Sequence, residues 1–88
     1  MKVVFSVEAW KDYLAWRDQA PDVADRIDQV LQGTFRTPFS GIGQPEPLKG
    51  ALSGFWARRI TQEHRLVYRV CDAAPAPRIE VASCRKRY

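Results

Sequence analysis

The sequence predicts an α+β fold in which an N-terminal strand and a two-helix hairpin pack on a mainly antiparallel twisted sheet. Apolar residues in the first half recur at helical spacing, whereas apolar and polar residues in the second half alternate with a period of two. A chain of 88 residues has room for one modest core. We therefore expect one domain over residues 1–88.

The N-terminal half is predicted to hold one strand and two helices. Residues 2–5 are mostly β-branched or aromatic, which is typical of a strand. The serine that follows suits the N-cap of a helix over 7–19, and Pro21 suits the first position of a second helix. That helix ends at Gly33, as a capping residue, or continues to Arg36. The break between the helices is so short that they should form an antiparallel hairpin.

The first predicted helix carries three aromatic side chains. Trp10, Tyr13 and Leu14 recur at helical spacing, which predicts an amphipathic helix with these residues on its apolar face. Trp10, Tyr13 and Trp16 could also stack on bases. Packing in the core or against a partner is the favoured interpretation of these rings.

The second half is predicted to be loop and sheet. Residues 37–47 are rich in glycine and proline, which indicates a loop, and residues 48–52 are predicted to add a short edge strand. Residues 54–60 and 64–71 form a hairpin of two strands. Residues 78–84 form the last strand, which should pair with the second strand of the hairpin and bring the basic C-terminus beside its start.

The hairpin carries an arginine pair. If its turn is centred on Gln62, Arg59 lies opposite Arg65 and Ala57 lies opposite Val67. Two arginines in opposite positions repel each other unless an anion lies between them. The pair is therefore a modest indication of a phosphate site, and a shift of one residue in the register would remove it.

Charge is unevenly distributed. Residues 1–48 contain five Lys or Arg and seven Asp or Glu, a balance of −2, whereas residues 49–88 contain nine and three, a balance of +6. This asymmetry favours an anionic partner for the second half, most of all nucleic acid. A solvated basic face explains the charge equally well.

Several classes of protein are disfavoured. Cys71 and Cys84 should lie too far apart in the sheet for a disulfide, so we expect reduced, partly buried thiols. One histidine and no close cysteine pair give no indication of a metal site, and no cofactor is predicted. No apolar run approaches the roughly 20 residues that span a bilayer, and the N-terminus lacks a signal peptide. We expect a cytoplasmic protein without membrane association.

One carboxylate stands out. Glu46 lies between Pro45 and Pro47, and these prolines restrict the backbone so that the segment should be stiff. A positioned carboxylate facing arginines suits acid–base chemistry beside a phosphate. A structural ion pair with the arginines is the alternative, and the residues alone favour it slightly.

A long central block carries distinctive motifs: Thr-Pro-Phe (37–39), Pro-Glu-Pro-Leu-Lys (45–49), Leu-Ser-Gly-Phe-Trp (52–56), Arg-Arg-Ile-Thr (58–61) and Glu-His-Arg-Leu-Val-Tyr (63–68). Through these motifs, with weaker matches in the first helix and further ones up to Tyr88, the chain resembles the Txe/YoeB branch of the RelE/ParE toxin superfamily. The resemblance spans nearly the whole sequence and implies the fold predicted above.

The resemblance also implies a function. Members are toxins of toxin–antitoxin pairs that cut messenger RNA in the ribosomal A site. Glu46 would be the general base that takes the proton from the ribose 2′-hydroxyl. Arg65 would stabilise charge on the scissile phosphate, with help from Lys49 and Arg59. Tyr88 would position the substrate or stack on it. Cleavage would leave a cyclic phosphate and a free 5′-hydroxyl.

One position departs from the family pattern. The family usually has a histidine, the proposed general acid, where this chain has Arg87. Arginine is a poor proton donor but binds phosphate well, so we assign Arg87 to the catalytic site and expect slower cleavage. The remaining predicted RNA contacts are basic residues of the sheet and tail: Arg58, Arg69, Arg85 and Lys86.

The implied partners are the ribosome, mRNA and a cognate antitoxin of the YefM/Phd type whose disordered segment folds over the basic groove. A homodimer is expected by resemblance. A ribosome-binding inhibitor that does not cleave is the alternative function, and gyrase poisoning, as in the ParE branch, is disfavoured by the intact Pro-Glu-Pro-Leu-Lys block. His64, at the predicted turn, is expected to make a structural hydrogen bond rather than to take part in catalysis.

Overall fold

The computed structural model describes residues 2–72 and 76–86, and this part of the chain contains two α-helices and five strands. The elements are β1 (Lys2–Phe5), α1 (Val7–Gln19), α2 (Pro21–Arg36), β2 (Glu46–Pro47), a 3₁₀ turn (Gly50–Leu52), β3 (Trp56–Arg59), β4 (Arg65–Cys71) and β5 (Arg78–Ser83). This confirms the predicted α+β class.

The strands form one mixed sheet in the order β1-β5-β4-β3-β2. β1 runs parallel to β5, and the other neighbouring pairs are antiparallel. In the β3–β4 hairpin, Arg59 lies opposite Arg65 and Ala57 opposite Val67. The register expected from a turn at Gln62 is therefore confirmed.

The helices begin where the sequence predicts. Ser6 Oγ accepts a hydrogen bond from the Ala9 amide at 3.0 Å and caps α1, and Pro21 occupies the start of α2. Of the two predicted ends for α2, the later one is observed, because Gly33 lies inside the helix. A Cβ atom at Gly33 would lie 2.3 Å from Ile42 Cγ2. Glycine is therefore required there by the close approach of the following loop.

The core lies between the helix hairpin and one face of the sheet. Its members are Ala9, Ile27, Val30, Leu31, Ile60, Leu66, Tyr68, Ile79, Val81 and Cys84. From α1, Tyr13 and Trp16 also pack against this core, as the packing interpretation predicted. Trp10 and Leu14 are each 47% exposed, so the prediction that they share the core-facing side of α1 is wrong.

The predicted edge strand over residues 48–52 is also wrong. The edge strand is β2, and the chain then curls through the 3₁₀ turn before β3. Gly50 and Gly54 have φ values of +67° and +96°, a left-handed conformation that suits glycine and cannot continue a strand. The Leu48 amide still bonds to the Phe55 carbonyl at 2.9 Å, which closes this tight connection.

The two cysteines are unpaired, as predicted. Cys84 is fully buried and Cys71 half-buried. Burial raises the pKa of the Cys84 thiol to about 12, with a smaller contribution from Asp12. Within the described residues, neither helix is long and apolar enough to cross a membrane.

Candidate active site

Glu46 lies on β2, the short edge strand, where it is paired with Ala57 of β3. Directly opposite residues of an antiparallel pair project from the same face of a sheet, and so do residues two apart on one strand. Arg59 is two residues from Ala57 and lies opposite Arg65. The register therefore puts Glu46, Arg59 and Arg65 on the same face of the sheet.

The distance between Glu46 and Arg65 suits a substrate bound between them better than a direct ion pair. Strands about 4.8 Å apart and a two-residue step of about 7 Å separate the Cα atoms of Glu46 and Arg65 by about 12 Å. Glu46 is exposed and Arg65 half-buried. No ion pair involving Glu46 is found among the described residues. The structural ion pair considered from the sequence is thus absent from that part of the chain.

The loop before Glu46 is anchored to the end of β3. The Arg59 amide donates to the Gly43 carbonyl at 2.7 Å. Gly43 has φ +84°, and a Cβ atom there would lie 3.0 Å from the Arg59 carbonyl oxygen and 3.1 Å from Arg58 Cβ. Only glycine combines this conformation with so close an approach. The anchor lies three residues before Glu46, so it directs the chain into β2.

Arg58 corrects one sequence-based assignment. It was predicted to contact RNA, but it has no exposed surface, because it lies opposite Leu66 on the face that packs against the helices. Its guanidinium donates to the Ile42 carbonyl at 2.8 Å, to the Ser40 carbonyl at 3.0 Å and to the Thr37 carbonyl. Arg58 therefore holds the loop that precedes Glu46 and is not an RNA ligand.

Tyr68 completes this arrangement, and nothing in the sequence indicated this role. Its hydroxyl accepts from Arg58 Nε at 3.0 Å and donates to the Pro38 carbonyl at 2.7 Å. Burial raises the pKa of Tyr68, and the hydrogen bond from Arg58 opposes this rise. The buried cation is solvated by carbonyl and hydroxyl oxygens, which satisfies its donors without a carboxylate.

The two opposed arginines differ in their surroundings. Arg59 is exposed. Arg65 Nη1 donates to the carbonyls of Thr61 at 2.8 Å, His64 at 3.1 Å and Gln62 at 3.2 Å. These bonds tie the Arg65 side chain to the hairpin turn. A guanidinium held in this way is a preorganised cation, which is the form that best stabilises developing negative charge.

Arg69 was predicted to bind RNA and is held in a salt bridge. Its Nε lies 2.6 Å from Glu80 Oε1, and its guanidinium lies 5.2 Å from the centre of the Phe55 ring. Hydrogen bonds from Arg78 and Arg69 lower the pKa of Glu80 to about 2. Arg69 also lies four residues from Arg65, about 13 Å along the strand. Its role at the candidate site remains a prediction.

The remaining basic residues lie on the surface. Lys49, Arg85 and Lys86 are exposed. The Arg85 guanidinium lies 5.1 Å from the centre of the Trp16 ring, and the Lys86 carbonyl accepts from the Arg65 amide at 2.9 Å. The C-terminal segment is therefore beside Arg65, as strand pairing predicted. The candidate site residues Arg87 and Tyr88 lie outside the described residues.

His64 makes the expected structural hydrogen bond. Its Nδ1 accepts from the Lys86 amide at 2.7 Å, and its ring meets the Trp16 ring with 4.7 Å between centres. Within residues 2–72 and 76–86, no group of three or more His, Cys, Asp or Glu side chains is arranged to hold a metal ion. Among the described residues, the face of the sheet that carries Glu46 presents carboxylates and guanidiniums. Glu80 is paired there with Arg69 and Arg78, whereas Glu46 is in no ion pair with another described residue.

This fold is that of RelE-type toxins. The RelBE2 toxin–antitoxin complex of Mycobacterium tuberculosis contains a chain that superposes with a TM-score of 0.71 at 21% identity, covering 98% of this chain and 96% of that one. More specifically, residues 5–88 match the model of the YoeB-like toxins of bacterial type II toxin–antitoxin systems. The chain belongs to this family.

Individual relatives agree with that assignment. Toxin YoeB of Escherichia coli is 49% identical over 88 residues, which is all of both chains. The structure of a YoeB/ParE toxin from Agrobacterium tumefaciens superposes with a TM-score of 0.94 at 44% identity, covering all of both chains. A YoeB dimer from Staphylococcus aureus superposes with a TM-score of 0.89 at 37% identity, covering 100% of this chain and 98% of that one.

Proposed function

We propose that the protein is a ribosome-dependent endoribonuclease that inhibits translation by cutting mRNA in the ribosomal A site. Membership of a toxin family supports this proposal. The observation that carries it is the strand register that puts Glu46 on the same face as Arg59 and Arg65. A base and two cations on one rigid surface, separated by a gap, match the needs of a ribose–phosphate step.

The reaction begins at the ribose 2′-hydroxyl. The Glu46 carboxylate takes its proton, and the oxygen attacks the adjacent phosphorus. Negative charge then grows on the phosphoryl oxygens, where Arg65 and Arg59 stabilise it, with Lys49 as a further cation. The bond from phosphorus to the 5′-oxygen breaks, which leaves a 2′,3′-cyclic phosphate and, after protonation of the leaving oxygen, a 5′-hydroxyl. The 2′-hydroxyl nucleophile makes the reaction specific for RNA.

Protonation of the leaving oxygen distinguishes this chain from the family pattern. Arg87 stands where the family usually has a histidine, and arginine does not release its proton at physiological pH. The proton therefore comes from water, Tyr88 or ribosomal RNA, and cleavage is slower than with a histidine acid. The same substitution favours the second candidate function, a toxin that occupies the ribosome without cutting.

The partners follow from the family. A solved complex contains YoeB and YefM from Staphylococcus aureus, and a YoeB dimer from that organism is also known. We propose that a YefM-like antitoxin neutralises this protein and that the toxin self-associates. Because its proposed substrate is mRNA on translating ribosomes, its proposed location is the cytoplasm.

The test is cleavage in a reconstituted translation reaction with mapped mRNA ends. Glu46→Gln keeps the shape of the side chain and removes the base, so the cleavage rate should fall about 10²- to 10⁴-fold. Glu8→Gln is the matched control, since Glu8 is an exposed carboxylate in the first turn of α1. This control should cut as fast as the wild type.

Two results would contradict the proposal. One is uncut mRNA with the wild-type protein, and the other is cutting that Glu46→Gln leaves unchanged. The protein would be the non-cleaving ribosome binder if it inhibits translation without cutting mRNA and if this inhibition persists in Glu46→Gln. The inhibition should then weaken as salt is added, because binding through a basic face weakens with salt.

A further inference from the structure

The side chain of His64 takes the place of a backbone group in the pairing between β4 and the C-terminal segment. The Lys86 carbonyl accepts from the Arg65 amide at 2.9 Å, as in an antiparallel ladder. In such a ladder the Lys86 amide would donate to a backbone carbonyl of β4. It donates instead to Nδ1 of His64 at 2.7 Å. The imidazole therefore extends the sheet by one bond beyond the end of β5.

This bond acts at a bend in the chain. Lys86 has φ +66°, a left-handed conformation that residues other than glycine rarely adopt. With both polar groups of its backbone bonded, Lys86 holds this bend. Peptide planes are rigid, so the two bonds to the Lys86 backbone hold the chain at this bend beside Arg65.

The imidazole is itself held from two sides. The His64 carbonyl accepts from the Ile60 amide at 2.9 Å and from the Thr61 amide at 3.2 Å, which fixes its backbone in the hairpin turn. Its ring meets the Trp16 ring edge-on, at 70°. Trp16 Nε1 also donates to the Cys84 carbonyl at 3.0 Å. One tryptophan thus supports both the histidine and the segment that the histidine binds.

We propose that His64 is a positioning residue whose imidazole docks Lys86 and so holds the basic C-terminal segment beside Arg65 at the site of the proposed reaction. It acts through the Lys86 backbone and contacts no reacting atom, which distinguishes it from Glu46 and Arg65. The effect of His64 on the cleavage rate rests on the proposed function. The docking of Lys86 by His64 is independent of that function.

The docking requires an acceptor at Nδ1, because a backbone amide can only donate. A side chain that lacks an acceptor at this position should therefore release Lys86 from the sheet.

Two variants separate the acceptor from the ring. His64→Phe keeps an aromatic ring against Trp16 but has no acceptor. His64→Asn loses the ring but retains an acceptor, its Oδ1, at about the position of Nδ1. Amide hydrogen exchange at Lys86, expressed as protection relative to the intrinsic exchange rate, measures docking. Thermal unfolding confirms that each variant is folded.

We expect His64→Phe to lower protection at Lys86 about five-fold or more and His64→Asn to restore it. The rate of mRNA cutting should fall about ten- to a hundred-fold in His64→Phe and recover in His64→Asn.

Equal protection in the wild type and His64→Phe would overturn the inference. Loss of protection without any loss of cutting would overturn the role in positioning. If the wild-type protein cuts no mRNA, the proposed function fails, and the exchange measurements still decide whether His64 docks the tail.

Discussion

Replacing the buried arginine should cost far more stability than replacing its exposed neighbour. Arg58 and Arg59 are adjacent on β3, yet the first has no exposed surface and the second lies on the surface. Arg58→Met removes one guanidinium from the interior and keeps a side chain of similar length. Arg59→Met makes the same chemical change at the surface. The two variants are therefore a matched pair.

The magnitude follows from the contacts of Arg58. Its guanidinium donates to three loop carbonyls and to the Tyr68 hydroxyl, and hydrogen bonds to a charged group contribute roughly 1.5–3 kcal/mol each. The desolvation of a buried cation offsets several kcal/mol of that gain. Arg58→Met removes the charge and leaves three carbonyls without their donor. Because each unsatisfied buried polar group costs about 1–3 kcal/mol, we expect a net loss of about 3–5 kcal/mol. A domain of this size has a total free energy of unfolding of about 4–13 kcal/mol.

The assay is thermal unfolding followed by circular dichroism. At roughly 4–8 °C per kcal/mol for a small domain, Arg58→Met should lower Tm by at least about 12 °C or prevent folding. Arg59→Met should leave Tm within about 4 °C, while its mRNA cutting falls. If Arg58→Met unfolds at the temperature of the wild type, the buried guanidinium does not hold the loop, and our account of how Glu46 is positioned is wrong.

Three further predictions concern other parts of the chain. Gly33→Ala should lower the free energy of unfolding by about 1–3 kcal/mol, because the new Cβ would lie 2.3 Å from Ile42 Cγ2. This loss should exceed the gain from alanine as the better helix former. Urea titration measures the change, and an unchanged midpoint would exclude the clash. The raised pKa of Cys84 predicts a loss of stability at alkaline pH, because the thiol ionises at a lower pH in the unfolded chain than in the folded one. Between pH 8 and pH 10 the free energy of unfolding should fall by about 2 kcal/mol more in the wild type than in Cys84→Ala. Parallel pH profiles of the two proteins would refute this. Arg87→His should raise the rate of mRNA cutting on ribosomes by about 10²-fold, and an unchanged rate would show that the group that now supplies the proton is as effective as a histidine.

Much of the candidate site was predictable from local pattern. The alternation of apolar and polar residues in β4 and the position of the turn predicted the pairing of Arg59 with Arg65. The pairing of the last strand with β4 predicted that the C-terminal segment lies beside Arg65. These inferences depend on strand periodicity and on short connections, both of which are local properties of a chain.

Other features required the packed structure. A period of two puts Arg58 and Arg59 on opposite faces but does not say which face is covered. Sequence reasoning assigned both arginines to RNA binding, although buried arginines are rare. Likewise, helical spacing predicted that Trp10 and Leu14 face the core, but each is 47% exposed in the structure.

The sequence by itself determined the α+β class, the pairing of the hairpin and the separation of an acidic half from a basic half. Only the tertiary structure decided that one arginine is interior and holds the loop before Glu46, and that His64 binds the backbone of Lys86. The physical reason is that secondary structure follows from periodicities within a segment. Burial and side-chain hydrogen bonds depend on partners far away in the chain: 16 to 21 residues separate Arg58 from its loop carbonyls, and 22 separate His64 from Lys86.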